Sequence, residues 1–160
     1  MLKKALLTLT CIAMATSALA KEVTIPTARG DVTLSAPPAK IAVFDTGSLD
    51  TLQALGVKVD GAADVAKLLP YLKPTLDSAK NVGTIFEPNL EALNELKPDL
   101  IIVGTRTAKK FDDVSAIAKT IDLTDNGDKL VESGIQRIDS FGRLFDKQAA
   151  ADKLKGELET

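Results

Sequence analysis

Histidine and tryptophan are absent from the 160 residues, and the single cysteine, Cys11, lies in an apolar opening stretch. Histidine is the usual general base near neutral pH, and together with cysteine it is the usual ligand for zinc or copper. With neither residue beyond Ala20, Ser48 has no base to activate it, so no catalytic constellation and no enzymatic activity are expected. A metal would have to arrive already wrapped or be held by carboxylates, and no resident cofactor or protein-bound metal is expected. The G-x-G-x-x-G fingerprint and the P-loop are also missing, which removes support for a nucleotide ligand. The charge balance of 20 basic against 22 acidic residues provides no basic footprint for nucleic acid or an anionic membrane. There is no internal repeat and no low-complexity segment.

What is present begins with a leader-like segment. Lys3 and Lys4 precede an apolar run from Ala5 through Ala15, and Ala18-Leu19-Ala20 closes it. This is the layout of a secretory signal with a small-x-small cleavage site, and the apolar part is too short to span a bilayer. Cleavage after Ala20 is expected, with no membrane insertion afterwards. Lipid anchoring at Cys11 is not favoured, because the cysteine sits too early and Thr8 and Thr10 stand where a lipobox wants an aliphatic and a small residue. Cleavage removes two lysines and no acid, so the net charge moves from −2 to −4. The exported chain then has no thiol and no disulfide, although its compartment would permit one.

After the leader, Val23-Thr24-Ile25 and Val32-Thr33-Leu34 flank Ala28-Arg29-Gly30-Asp31 and predict a hairpin. The Arg-Gly-Asp tripeptide there is read as a tight polar turn, not as an adhesion motif. Pro37-Pro38 separates the hairpin from a first core strand over Ile41–Phe44. The loop Asp45-Thr46-Gly47-Ser48 leads into a helix carrying Leu49, Leu52 and Leu55, which Gly56 ends. Backbone N–H groups of Thr46, Gly47 and Ser48 at that helix start can hold an anion, or only water. A second strand is expected over Val57–Ala62. Leu68–Pro74 is too rich in proline for a long helix and reads as one turn, in which Tyr71 either packs flat or meets a ligand.

The chain is organised around Glu87–Arg106. Leu90, Leu93 and Leu96 mark an amphipathic helix that Lys97-Pro98-Asp99 ends, since Pro98 has no N–H and disfavours the α conformation before it. Leu100-Ile101-Ile102-Val103 reads as a strand of a parallel sheet buried on both faces. Open α/β sheets bind ligands beyond the carboxyl ends of such strands, where Gly104-Thr105-Arg106 stands. Further on, a helix over Phe111–Lys119, a strand over Ile121–Leu123, a capping loop at Asp125–Asp128 and a helical pattern from Asp128 are expected. A charged, alanine-rich helix then runs from Asp146 to Glu159.

Lys97-Pro98-Asp99-Leu100-Ile101-Ile102, preceded by Asn89-Leu90-Glu91 and followed by Gly104-Thr105-Arg106, resembles the periplasmic substrate-binding proteins of iron-siderophore and cobalamin ABC importers. The glycine and arginine at the strand end most resemble the branch that binds ferric catecholates of the enterobactin type. The resemblance implies an α/β, Rossmann-like N-terminal lobe of a two-lobed binding protein with a rigid helical linker, truncated in or near that helix. Its implied divisions are a signal at 1–20, the lobe at 21–127 and a helix pair at 128–160 that ends in the start of the inter-lobe helix. It implies periplasmic location, a monomer, a ferric siderophore as cargo and an inner-membrane ABC permease as partner. Arg106 matches the N-lobe arginine that hydrogen-bonds catecholate oxygens, with Thr105, Thr107 and Lys109 beside it. Lys109 either adds charge or is a solvated lysine. Phe86 stands where some relatives place a cation. Glu91 matches a glutamate that docks on the permease, although the helix dipole alone also favours an acid there. Haem or cobalamin as cargo, a truncated product without a transport role, and an exported α/β enzyme are the alternatives.

Overall fold

A computed structural model describes residues 21–158 and Thr160. The signal-peptide and Cys11 expectations fall on residues 1–20 and so lie outside the described residues. Strands β1 (Lys21–Ile25) and β2 (Val32–Ala36) form an antiparallel hairpin with Val23 opposite Leu34. Period-two alternation buries Val23, Ile25 and Leu34 and leaves Thr24 and Thr33 outside, where their hydroxyls hydrogen-bond each other at 2.9 Å.

The rest alternates strand and helix around a five-stranded parallel sheet. Its members are β3 (Ile41–Val43), β4 (Gly61–Ala62), β5 (Lys80–Asn81), β6 (Leu100–Val103) and β7 (Thr120–Asp122), in the order β5-β4-β3-β6-β7. Ile41 pairs with Leu100 and Ile102 with Ile121, so the two most apolar strands lie side by side at the centre. Both are buried along their whole length, as continuous branched apolar runs require in a sheet covered on both faces. The connecting helices are α1 (Thr46–Ala54), α2 (Lys73–Ser78), α3 (Leu90–Leu96) and α4 (Phe111–Ser115), followed by α5 (Leu130–Leu144) and α6 (Gln148–Leu158). Helix α5 packs on α1 and β1, and its Ile138, Phe141 and Leu144 join the same core as Phe44, Leu49 and Ile101. None of the described helices is long and apolar enough to cross a membrane.

Several boundaries differ from expectation. The second strand is only Gly61–Ala62, because Val57 N–H turns back to Leu52 O and the Asp60 carboxylate accepts from Ile41 N. A Cβ at Gly61 would lie 2.6 Å from Leu96 Cδ2, so the helix α3 side chain closes directly on the strand backbone. The Pro70–Leu72 turn runs on into α2, whose Pro74 occupies an N-terminal position that needs no N–H partner. Helix α4 stops at Ser115, four residues short of the expected end. Helix α3 ends with Lys97 in the left-handed region at φ 53°, not in the extended conformation usual before proline. The helix pair expected over 128–160 is present, with its members starting at Leu130 and Gln148 and not at Asp128 and Asp146. Asp146 takes φ 54° between α5 and α6, and Lys147 N–H closes on Gly142 O at 2.8 Å. Gly142 lets the pair cross tightly, since a Cβ there would meet Ala151 Cβ at 2.6 Å.

Candidate functional site

The parallel sheet places the loops after β3, β5, β6 and β7 along one rim, the carboxyl rim where this architecture binds ligands. The loop after β6 runs from Gly104 to Lys110 and is wound into a tight turn, with Thr107 N–H donating to Gly104 O at 2.9 Å and Ala108 N–H to the same oxygen at 2.8 Å. Thr107 is fully buried and its hydroxyl donates to Ile85 O, which anchors the turn to the loop after β5. Of the residues singled out there, Thr107 is therefore spent on holding the turn and does not present its side chain outward. Lys110 pairs with Glu87 at 3.1 Å and adds a second tie to the same neighbouring loop.

Thr105, Arg106 and Lys109 remain on the exposed side of this turn. Among the described residues Arg106 makes no hydrogen bond and no ion pair, so its planar fork of five donors is uncommitted. A rigid backbone carrying a free guanidinium is suited to an anion with paired oxygens, because little ordering remains to be done on binding.

The loop after β3 is built differently. The Asp45 carboxylate caps α1, accepting from Ser48 N at 2.7 Å and from Ser48 Oγ at 2.6 Å. Arg137, reaching down from α5, is only 10% exposed and lies between Asp125, with which it pairs closely, and Asp45 at 3.9 Å. Its Nε is buried without a hydrogen-bond partner. Its guanidinium occupies the space that a side chain at Gly47 would need, and Gly104 leaves room for the Asp45 carboxylate in the same way. Thr46 and Gly47 thus sit on a helix start capped by the Asp45 carboxylate and covered by the Arg137 guanidinium. A hollow of about 200 Å³ beside it is lined by Thr27, Thr124, Asp125, Gln136 and Arg137, and Arg106 does not take part.

Tyr71 is not gathered into the β6 turn. It is 55% exposed, beside α1, where Gln53 Nε2 donates to its backbone oxygen. Partial burial, and then the Asp50 carboxylate facing its hydroxyl, hold the phenol above its usual range, so it stays neutral. Glu91 is exposed in the first turn of α3, whose cap is Asn89 Oδ1 accepting from Ala92 N at 2.9 Å. Phe86, 63% exposed, and Leu90 flank that turn. Among the described residues no cluster of three or more acids could hold a metal ion.

Two arginines with large roles, Arg29 and Arg137, were not singled out from the sequence. Arg29 sits in a hairpin turn, where polar residues are ordinary. Arg137 lies mid-helix, with partners 12 and more residues away.

Among the described residues, the carboxyl rim of the open parallel sheet carries a cationic loop on which Arg106 and Lys109 are exposed. The profile of the periplasmic binding protein family matches residues 41–160, and the chain belongs to that family. It is 40% identical over 123 residues to the petrobactin-binding protein YclQ of Bacillus subtilis (strain 168), covering 76% of this chain and 38% of that one. It is similar to the crystal structure of YclQ with a TM-score of 0.74 at 34% identity, over 87% of this chain and 49% of that chain. The periplasmic catecholate-siderophore binding protein VctP from Vibrio cholerae is similar with a TM-score of 0.77 at 30% identity, over 86% of this chain and 50% of that chain. The ferric-anguibactin-binding protein FatB of Vibrio anguillarum (strain ATCC 68554 / 775) is 29% identical over 136 residues, 81% of this chain and 42% of that one. The chain spans about half the length, or less, of the relatives it matches.

Proposed function

We propose that the chain forms one wall of a periplasmic solute-binding protein that captures a ferric siderophore of catecholate type for an ABC importer. The observation that carries this is the uncommitted guanidinium of Arg106 on a turn held by hydrogen bonds from the Thr107, Ala108 and Lys110 amides. A tris-catecholate iron complex is a compact trianion with oxygens in adjacent pairs, and a guanidinium fork meets two of them at once. Lys109 adds a second cation without a partner among the described residues, whereas Lys110 is neutralised by Glu87. Iron enters as cargo with its coordination filled by the siderophore, and this wall adds no bond to it. Similarity to proteins named for petrobactin, catecholate siderophores and ferric anguibactin supports the cargo class.

In this role Glu91, open on the first turn of α3, is the contact for the permease. The protein acts in the periplasm as a monomer and transports without chemistry, as a family of binding proteins would. Calorimetric titration with ferric tris-catecholate and, separately, with cobalamin tests the assignment. Weakening of trianion binding by roughly ten- to a hundredfold on Arg106→Ala, with cobalamin unaffected by that change, is expected. Equal loss of both ligands, or retention of both, would overturn it.

A further inference from the structure

The turn that carries Arg106 is tied toward β5 by Thr107 and Lys110, and a second tie comes from the opposite side of the sheet. It starts in the hairpin of residues 21–36, which lies outside the region matched by the family profile. Arg29, at the hairpin turn, donates from Nε to Asp122 Oδ2 at 3.0 Å at the end of β7 and from Nη2 to Ala108 O at 3.2 Å. Its Cζ lies 4.0 Å from the centre of the Phe111 ring at the start of α4, a cation–π distance. Ala108 is two residues from Arg106 and adjacent to Lys109.

The anchor for this reach is firm. The Asp122 side chain is 5% exposed, and its other oxygen accepts from Thr124 N at 3.0 Å and Thr124 Oγ1 at 2.6 Å. A buried carboxylate keeps its partners because losing one leaves a desolvated charge. The hairpin turn itself is pinned by Ala28 N–H donating to Asp122 O at 2.8 Å. Arg29 therefore bridges a fixed carboxylate and the turn's backbone with two divergent donors, while its Cζ lies over the Phe111 ring. A lysine offers one ammonium on a flexible stem and cannot make both contacts together.

We infer that Arg29 is a positioning residue. From the hairpin of residues 21–36, it holds the Arg106 turn in the geometry that meets the anion. This rests on Arg106 being the ligand contact, while the brace itself can be read without any ligand. The test is amide hydrogen exchange on wild type, Arg29→Lys and Arg29→Gln, joined to titration with ferric tris-catecholate in Arg29→Lys, Arg106→Ala and the double variant. Both Arg29 variants should speed exchange at Ala108 and Lys110 while Ile101 and Ile102 stay protected, which shows that the fold is intact. Arg29→Lys should weaken binding about tenfold, and in the Arg106→Ala background it should weaken it no further.

Wild-type behaviour of Arg29→Lys in both measurements would reduce Arg29 to a general positive charge and overturn the inference. Additive losses in the double variant would also overturn it. Should wild type itself fail to bind the ferric complex, the proposed function falls and exchange alone decides. Faster exchange at Ala108 and Lys110 would then uphold the brace, and unchanged protection would remove it.

Discussion

Two loops lie at the ends of neighbouring central strands, and the protein treats them in opposite ways. After β6, the backbone is locked by Thr107, Lys110 and Arg29, and the cationic side chain of Arg106 is left free. After β3, the helix start that could have received an anion is filled from within, by the Asp45 cap and by Arg137 packed over Gly47. Position at the carboxyl rim is thus common to both loops and does not separate them. What separates them is whether the cationic side chain is already paired, as Arg137 is with Asp125 although its Nε has no partner, and as Arg106 among the described residues is not. In the function proposed, the β3 loop is a structural joint and the β6 loop is the surface offered to the ligand.

The contrast can be broken at its structural end first. Asp45→Ala removes the α1 cap and leaves Arg137 with only Asp125 beside it. It should cost about 2–3 kcal/mol of stability in denaturant unfolding while changing ferric tris-catecholate affinity little. A large loss of affinity with unchanged stability would show that the β3 loop is a ligand site after all. Arg106→Ala should do the reverse, lowering affinity by roughly ten- to a hundredfold and leaving the unfolding midpoint in place.

Lys109→Ala should weaken binding only about threefold, and less at high salt, since an exposed cation contributes through a screened field. An effect as large as that of Arg106, insensitive to salt, would make Lys109 the direct contact. The smallest effect lies away from both loops, where Lys155 and Arg143 hydrogen-bond Asp139 between α5 and α6 at 3.1 and 3.0 Å. Partial burial opposes ionisation there, but these bonds outweigh it and hold the carboxyl below its ordinary range. A depressed folded pKa means that the stabilising contribution is present above the ordinary aspartate range near about 4 and is lost as pH falls through the folded value. Asp139→Asn should flatten that part of the acid unfolding profile without moving the affinity at neutral pH. An unchanged profile would show that the α5–α6 clasp contributes nothing.

The central strands and the Arg106 loop were legible because their signals are local. Four branched apolar residues between Asp99 and Gly104 can scarcely be anything but a buried strand, and whatever follows that strand must emerge at its carboxyl end. The short strands were not legible in the same way. Gly61 and Ala62 carry almost no propensity, and they form a strand because Ile41–Val43 and Lys80–Asn81 supply backbone partners on either side. The division between α5 and α6 rests on a left-handed Asp146, an uncommon conformation for a residue that is not glycine. Thr107 resembled an exposed loop residue, and its burial depends on Ile85, 22 positions earlier. Arg29 and Arg137 likewise act through partners distant in the chain. Sequence patterning located the loop that carries the charge, while the side chains that hold it rigid could be recognised only once the sheet had brought them together.

Paramagnetic broadening of backbone amide signals on adding ferric tris-catecholate tests the central contrast most directly, since high-spin iron broadens the amides nearest to it. Loss of signal concentrated at Thr105–Lys109, with Thr46–Ser48 less affected and the pattern abolished by Arg106→Ala, is the predicted result. Broadening centred on Thr46–Ser48, or on the amino-end rim around Pro38 and Lys119, would contradict it.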